Sequence, residues 1–260
     1  MEEILRQFDP ITLDEMSGIR LMNRMDTKFV TTLPMLLKLL QMAKDDYYAQ
    51  EIGGARIAAY YTVYFDTPAC AMYTAHETGH TNRQKLRIRS YVDSHLNFLE
   101  VKTKNNHGRT KKKRIALDGF NPDESALFDV QSLAYQDFLS TNLRYAAESL
   151  SEQLENRFNR ITLVNKGKTE RLTIDTNLRF HNVVTDGYRF MDDVVIIELK
   201  RDGLVPSPIL GHLRNLRIKP HGFSKYVIGS ALTNDQLHCN RLKPKLNDIK
   251  RIMNSTNYKL

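Results

Sequence analysis

The chain has 260 residues, enough for one large domain or two ordinary ones, and its 41% hydrophobic content supplies a packed core and excludes a disordered chain. Lys and Arg number 38 against 30 Asp and Glu, a net charge of +8 that points to an anionic partner: nucleic acid, a phosphate chain or an acidic membrane. Two cysteines, Cys70 and Cys239, are too few for a disulfide framework, show no zinc-site spacing, and make a reducing compartment the default.

Residues 1–6 lack the apolar core of a signal peptide, and runs such as Val194-Val195-Ile196-Ile197 are far too short to span a bilayer. Neither secretion nor membrane insertion is expected. Residues 11–25 carry Leu13, Met16, Ile19, Leu21 and Met22 at roughly helical spacing, and a second helix, 34–44, begins at a proline suited to its first turn. The period then changes to two: 57–65, 83–91, 97–104 and 111–117 read as antiparallel strands, with a hairpin turn at Asn105-Asn106-His107-Gly108. Residues 123–139 return to helical spacing. Strands follow at 157–164, 170–175 and 193–201, around turn signals at Asn165-Lys166-Gly167 and Asp186-Gly187. Helices are predicted at 208–216 and 223–232, and 234–260 reads as a polar, basic tail. With no repeat, linker or low-complexity tract, a single domain over 1–260 is the simplest partition.

The strand faces carry the functional information. In 83–91, Arg83, Lys85, Arg87 and Arg89 share one side while Gln84, Leu86, Ile88 and Ser90 share the other. The next strand places Glu100, Lys102 and Lys104 opposite Leu99 and Val101, so the apolar face meets a core. A charge run is ordinarily a solvated face. Here, however, later strands add Phe158/Arg160, Arg171/Thr173/Asp175 and Ile196/Glu198/Lys200 as same-face sets. Many cations with few acids between them repel one another and gain little from surface pairing. If the sheet curls into a barrel with this face inward, the lining is a cationic tunnel, tolerable only with water, carboxylates or a bound polyanion. A chain of phosphates fits, because Arg forks bind phosphate oxygens in pairs and Lys acts as a point charge. Glu100 and Glu198 each precede a Lys by two residues; each could hold a divalent ion on the phosphates or form a plain salt bridge.

These residues resemble the polyphosphate polymerase domain of the vacuolar transporter chaperone family, within the CYTH-like triphosphate tunnel metalloenzymes. The likeness covers about residues 20–233. It rests on Met25-Asp26-Thr27-Lys28-Phe29, Tyr64-Phe65-Asp66-Thr67, Lys85-Leu86-Arg87-Ile88-Arg89-Ser90-Tyr91, Phe98-Leu99-Glu100-Val101-Lys102 and Gly108-Arg109-Thr110 leading to Lys112-Lys113-Arg114. It continues through Phe158-Asn159-Arg160, Glu170-Arg171-Leu172-Thr173-Ile174-Asp175, Ile197-Glu198-Leu199-Lys200 and Phe223-Ser224-Lys225-Tyr226.

The resemblance implies an α+β fold, an antiparallel β-barrel tunnel with flanking helices. In it Lys28, Arg87, Arg89, Lys102, Lys112, Arg160, Arg171 and Lys225 would contact phosphates, and Lys85, Lys104, Lys200, Phe158 and Ser224 would line the substrate path. Glu198, helped by Glu100, would hold Mn²⁺ or Mg²⁺. The register between Lys112 and Lys113 stays open. The implied activity is transfer of the γ-phosphate of ATP to a growing inorganic polyphosphate chain by a cytoplasmic, stand-alone bacterial-type member, with a separate membrane partner left open. Two departures matter. Hydrolytic relatives carry Glu-x-Glu-x-Lys, but Phe98 replaces the first acid, which favours transfer over hydrolysis; Phe158 replaces the family Tyr and loses a phenol contact to phosphate. A tripolyphosphatase or nucleoside triphosphatase, and a binding module for polyphosphate or RNA, remain the alternatives.

Other signals are weaker. His76-Glu77-Thr78-Gly79-His80 matches the zinc-protease His-Glu-x-x-His pattern, but Thr78 and Gly79 weaken the helix it needs and a basic strand follows at once. Gly167-Lys168-Thr169 resembles the end of a P-loop without its earlier glycine. The basic run from Arg109 to Arg114 has little aromatic interleaving, so nucleic acid is disfavoured. Asn254-Ser255-Thr256 is a formal glycosylation site with no expected export.

Overall fold

In the computed structural model, which describes residues 1–19, 24–107, 109–127, 129–203 and 205–257, the alternating segments assemble into one sheet of eleven strands. In chain order these are β1 (Asp9–Ile11), β2 (Arg24–Thr32), β3 (Tyr47–Gln50), β4 (Ala58–Asp66), β5 (Arg83–Tyr91), β6 (Leu96–Lys104), β7 (Thr110–Ala116), β8 (Ser151–Asn165), β9 (Glu170–Asn182), β10 (Gly187–Met191) and β11 (Val194–Asp202). The helices are α1 (Glu2–Leu5), α2 (Leu13–Ser17), α3 (Leu33–Ala43), α4 (Ala71–Glu77), α5 (Leu133–Asn142), α6 (Pro208–Asn215), α7 (Lys225–Thr233) and α8 (Lys243–Asn257).

The main path runs β2-β11-β9-β8-β4-β5-β6-β7, antiparallel throughout; β10 extends β9, β3 adds to β8, and β1 pairs β3 in parallel. The path curls strongly. Lys28 of β2 acts electrostatically on Lys85 of β5 and Lys102 of β6, although these strands stand near opposite ends of the order. This is the expected α+β tunnel with flanking helices, with one departure: among the described residues no ladder joins β7 to β2, so the hydrogen-bonded circuit stays open.

Two apolar layers hold the sheet in shape. Outside β2, β11, β9 and β8, the side chains of Phe29, Val195, Ile197, Leu172, Ile174 and Ile161 pack under Leu36, Leu39 and Leu40 of α3 and Ile209 and Leu213 of α6. Each such aliphatic side chain contributes about 1.5–3 kcal/mol on burial. Outside β5 and β6, Leu86, Ile88, Leu99 and Val101 pack with Leu139 and Leu143. On the inner side Val30 and Ile196 are paired across β2 and β11, and they share a buried cluster with Tyr226, Val227 and Ile228 of α7 and Leu246 and Ile249 of α8. Gly229 permits that approach. A Cβ there would lie 2.5 Å from Cδ1 of Phe180 and 2.8 Å from Cδ2 of Leu154.

β5 spans the residues predicted for it, and β4, β6, β7 and β11 shift by a residue or so. The helix expected over 11–25 is shorter: a capping box between Thr12 and Glu15 opens α2, Gly18 closes it, and the chain enters β2 at Arg24. Residues 20–23 of that expected helix lie outside the described residues, as do Gly108 of the hairpin turn and Phe128 of the expected 123–139 helix. That last helix divides into 3-10 turns at Pro122–Leu127 and the later α5. The basic tail is not irregular either. It forms α8, whose Leu246 and Ile249 are buried while Lys243, Lys245 and Lys250 stay exposed.

Candidate functional site

Strand register decides which side chains share the concave face. β5 sets Lys85 opposite Lys102 and Arg87 opposite Glu100, and β6 sets Lys102 opposite Lys112 of β7. Lys112 therefore faces inward. Lys113 opposes Val101 and faces outward, which resolves the register left open by the sequence. Across the curl, Glu198 of β11 lies between Lys28 of β2 and Thr173 of β9, and Arg160 of β8 opposes Asp175.

Three carboxylates on this face each stand between two cations. Arg87 donates from Nε and Nη2 to one oxygen of Glu100, at 2.8 and 2.6 Å, and Lys112 donates to the other at 3.1 Å. Arg160 forks onto both oxygens of Asp175 at 2.6 and 2.9 Å, and Lys225 at the start of α7 donates to the same carboxylate. Lys28 and Lys200 reach the two oxygens of Glu198 at 3.3 and 3.2 Å. Burial alone would raise each carboxyl, but the facing cations win. Arg87, Arg89 and Lys112 bring Glu100 down to about 2, and Asp175 and Glu198 are held well below the ordinary carboxylate range.

Other cations of the face have no such counter-ion. Lys85 donates to Ser224 Oγ at 2.8 Å, and Arg89 buries its Nε without a hydrogen-bond acceptor. Lys102 is exposed to the tunnel and makes no hydrogen bond or ion pair among the described residues; desolvation by the surrounding walls, followed by the Arg87 charge, brings its amine down to about 8. Burial and then Lys102 push Lys85 well below its ordinary value; burial, Arg87 and Arg160 lower Arg89. The face is thus overcharged and set up to receive an anion.

The remaining predicted residues divide by place. Phe158 is buried, stacked on Tyr60 at 5.1 Å with the Lys225 ammonium 4.1 Å over its ring, so it supports the cations from behind. Arg171 donates to the Met16 carbonyl of α2 at 3.3 Å, at one end of the face, and Lys104 opposes Arg83 at the other end of β5 and β6. Ser224 both receives Lys85 and caps α7. Sequence reasoning gave no role to Asp175, Tyr60 or Tyr64. Asp175 was visible in a same-face set, but its partner Lys225 comes from a helix 50 positions away.

The donor set for a divalent ion is narrow. Glu100, expected as a helper ligand, is fully buried with both oxygens engaged by Arg87 and Lys112, so it serves as their counter-ion instead. Glu198 is 18% exposed, and its two oxygens are engaged by Lys28 and Lys200, so an ion there would have to displace a lysine. Among the described residues no group of three or more His, Cys, Asp or Glu is arranged to hold a metal. The His-Glu-x-x-His segment is not such a site: α4 ends at Glu77, which accepts the Arg241 N–H at 2.8 Å, and burial brings His76 down to about 2.

Comparison with known proteins agrees with this geometry. A family model described as the VTC domain matches residues 23–234. The chain belongs to the VTC domain family. No curated protein matches it. Among solved structures, this VTC domain is similar to a Bacillus halodurans protein described as an adenylate cyclase candidate, at 15% identity over 78% of this chain and 96% of that one, with a TM-score of 0.50. It is also similar to a Hippeastrum adenylyl cyclase candidate described as having a dominant triphosphatase activity, at 14% identity over 82% and 100% of the two chains, with a TM-score of 0.51. At those identities the likeness is one of fold. No helix of the VTC domain described here is long and apolar enough to cross a membrane.

Proposed function

We propose that this VTC domain is a polyphosphate polymerase that moves the γ-phosphoryl of ATP onto a growing inorganic polyphosphate chain. The observation that carries the reading is the set of inward cations without counter-ions, Lys85, Arg89 and Lys102, beside three charge trios that are each already net positive. A linear polyphosphate supplies charge along its length, as this face requires. An oxygen of the acceptor's terminal phosphate would attack the γ-phosphorus in line; the bond from that phosphorus to the β–γ bridging oxygen breaks, and its electrons leave with ADP. Arg87, Arg89, Lys102 and Arg160 position the phosphates and spread over the oxygens whose charge grows. Glu198 would hold Mn²⁺ or Mg²⁺, which supplies further charge neutralisation when bound.

Transfer is favoured over hydrolysis by what surrounds Phe98. The Arg114 guanidinium lies 4.2 Å over its ring and Tyr91 packs against its edge, so no carboxylate stands there to activate water. The test is incubation with ATP and Mn²⁺, with and without a polyphosphate primer, followed by phosphorus NMR. Long chains with matching ADP are expected; free phosphate without chains would make the protein a tunnel hydrolase, and intact ATP a binding module. A cytoplasmic site of action belongs to the same proposal, with the fate of the product and a separate membrane partner left open.

A further inference from the structure

β7 is the open end of the sheet, and residues Thr110–Arg114 are all exposed. The run is cationic on both faces. Lys112 and Arg114 oppose Lys102 and Glu100 on the inner side, whereas Lys111 and Lys113 oppose Thr103 and Val101 on the outer side. Those outer lysines line a cavity of about 300 Å³ together with Gln84, Thr103, Thr141, Asn142 and Arg144. Its lining includes three cations and no acid. Lys111 and Lys113 have no hydrogen bond or ion pair among the described residues.

The end of α5 sits at this cavity, and a helix C-terminus would ordinarily repel an anion. Here three of its carbonyls are occupied. Asn142 O accepts from Gln84 Nε2 at 2.8 Å, Phe138 O from the Asn142 side chain at 2.8 Å, and Leu139 O from the Leu143 N–H at 2.8 Å. The Gln84 oxygen is taken by the Arg144 N–H. Thr103 Oγ accepts from Gln84 and keeps its own proton to donate outward. The cavity therefore presents donors and positive charge.

We propose that this outer cavity is a second phosphate-chain site, reached from the tunnel over the uncovered edge of β7. The inference rests on reading the tunnel as a phosphate-chain site. Farther along the inner face, beyond Val30 and Ile196, α7 and α8 fill the space with apolar side chains, whereas among the described residues no ladder closes β7 onto β2. A chain passing over an edge strand crosses no backbone. Lys112 and Arg114 would hold it on the inner side, and Lys111, Lys113 and Arg144 on the outer.

The experiment titrates wild type and the triple variant Lys111→Gln/Lys113→Gln/Arg144→Gln with tripolyphosphate and with long-chain polyphosphate at several salt concentrations. All three side chains are exposed, and an unchanged thermal melt would confirm that the variant folds. Long-chain affinity is expected to fall about tenfold or more, with a shallower salt dependence, while tripolyphosphate binding is kept. Unchanged long-chain affinity would overturn the outer site and leave the tunnel reading standing. So would a loss confined to single-stranded RNA, titrated in parallel. Arg89→Ala separates the two readings: if it loses tripolyphosphate while the triple variant keeps the long chain, the tunnel reading stands and the outer site falls, and if it keeps tripolyphosphate, the tunnel reading falls and the route from it to the outer cavity falls with it.

Discussion

Asp175 and Glu198 lie on the same concave face of the neighbouring strands β9 and β11, each held between a pair of cations. Asp175 has a side chain only 5% exposed, gripped by the Arg160 fork and by Lys225. Glu198 is 18% exposed, and one of its two partners, Lys28, is 35% exposed. A buried carboxylate with fixed partners cannot change them without leaving charge stranded. An accessible one held by two flexible lysines can exchange a lysine for a ligand. The pairing pattern is thus shared, and the two carboxylates differ in how far solvent and ligand can reach them. Glu100 falls on the Asp175 side of that division.

The largest effect should come from breaking the buried member. Asp175→Asn leaves Arg160 and Lys225 facing each other without a full counter-charge and should cost about 3–5 kcal/mol in urea unfolding. Glu198→Gln should reverse the pattern: metal-dependent turnover falls about 100-fold, while stability changes by less than about 1 kcal/mol. Equal destabilisation by both variants would abolish the distinction drawn here. Normal metal-dependent turnover in Glu198→Gln would remove its metal role. Next in size, Arg89→Ala or Lys102→Ala should weaken triphosphate binding about tenfold or more, read by calorimetry, and should not lower the melting temperature, because each removal relieves repulsion.

How legible this was from sequence depended on how each face is covered. β5 was read to the residue because its inner face is wholly cationic and its outer face apolar or neutral, a clean period of two. β2 was misread because both of its faces are covered: Phe29 packs under α3 and Val30 packs inward near α8, so the alternation disappears. α8 was missed because Leu246, Ile249, Ile252 and Met253 are diluted by lysines and polar residues, and only contact with the sheet reveals their stripe. The site shows the same limit. Residues on neighbouring strands, such as Arg87 and Glu100, follow from alternation, whereas the Asp175–Lys225 pair joins a strand to a helix by tertiary packing alone.

The smallest effect concerns protons, and it bears on the cations that the trios leave uncompensated. Lys102, though exposed to the tunnel, is brought down to about 8 by desolvation within the tunnel walls and then by Arg87, so near pH 8 the free protein carries it only partly protonated. A bound polyphosphate supplies the missing negative charge and raises it again. Binding should therefore take up protons, and triphosphate affinity should fall as pH rises through about 8. The stability of the unliganded protein should run the other way. Between about 8 and the ordinary lysine value near 10.5 the unfolded chain binds more protons than the folded one, so this group makes stability rise with pH across that window. Calorimetric titration of tripolyphosphate in two buffers of different ionisation heat measures the uptake directly. Lys102→Met should reduce the uptake near pH 8, leaving the share of Lys225, which burial brings down to about 7, whereas Glu198→Gln should lower Lys102 further and enlarge it, because Glu198 raises the Lys102 amine from across the tunnel.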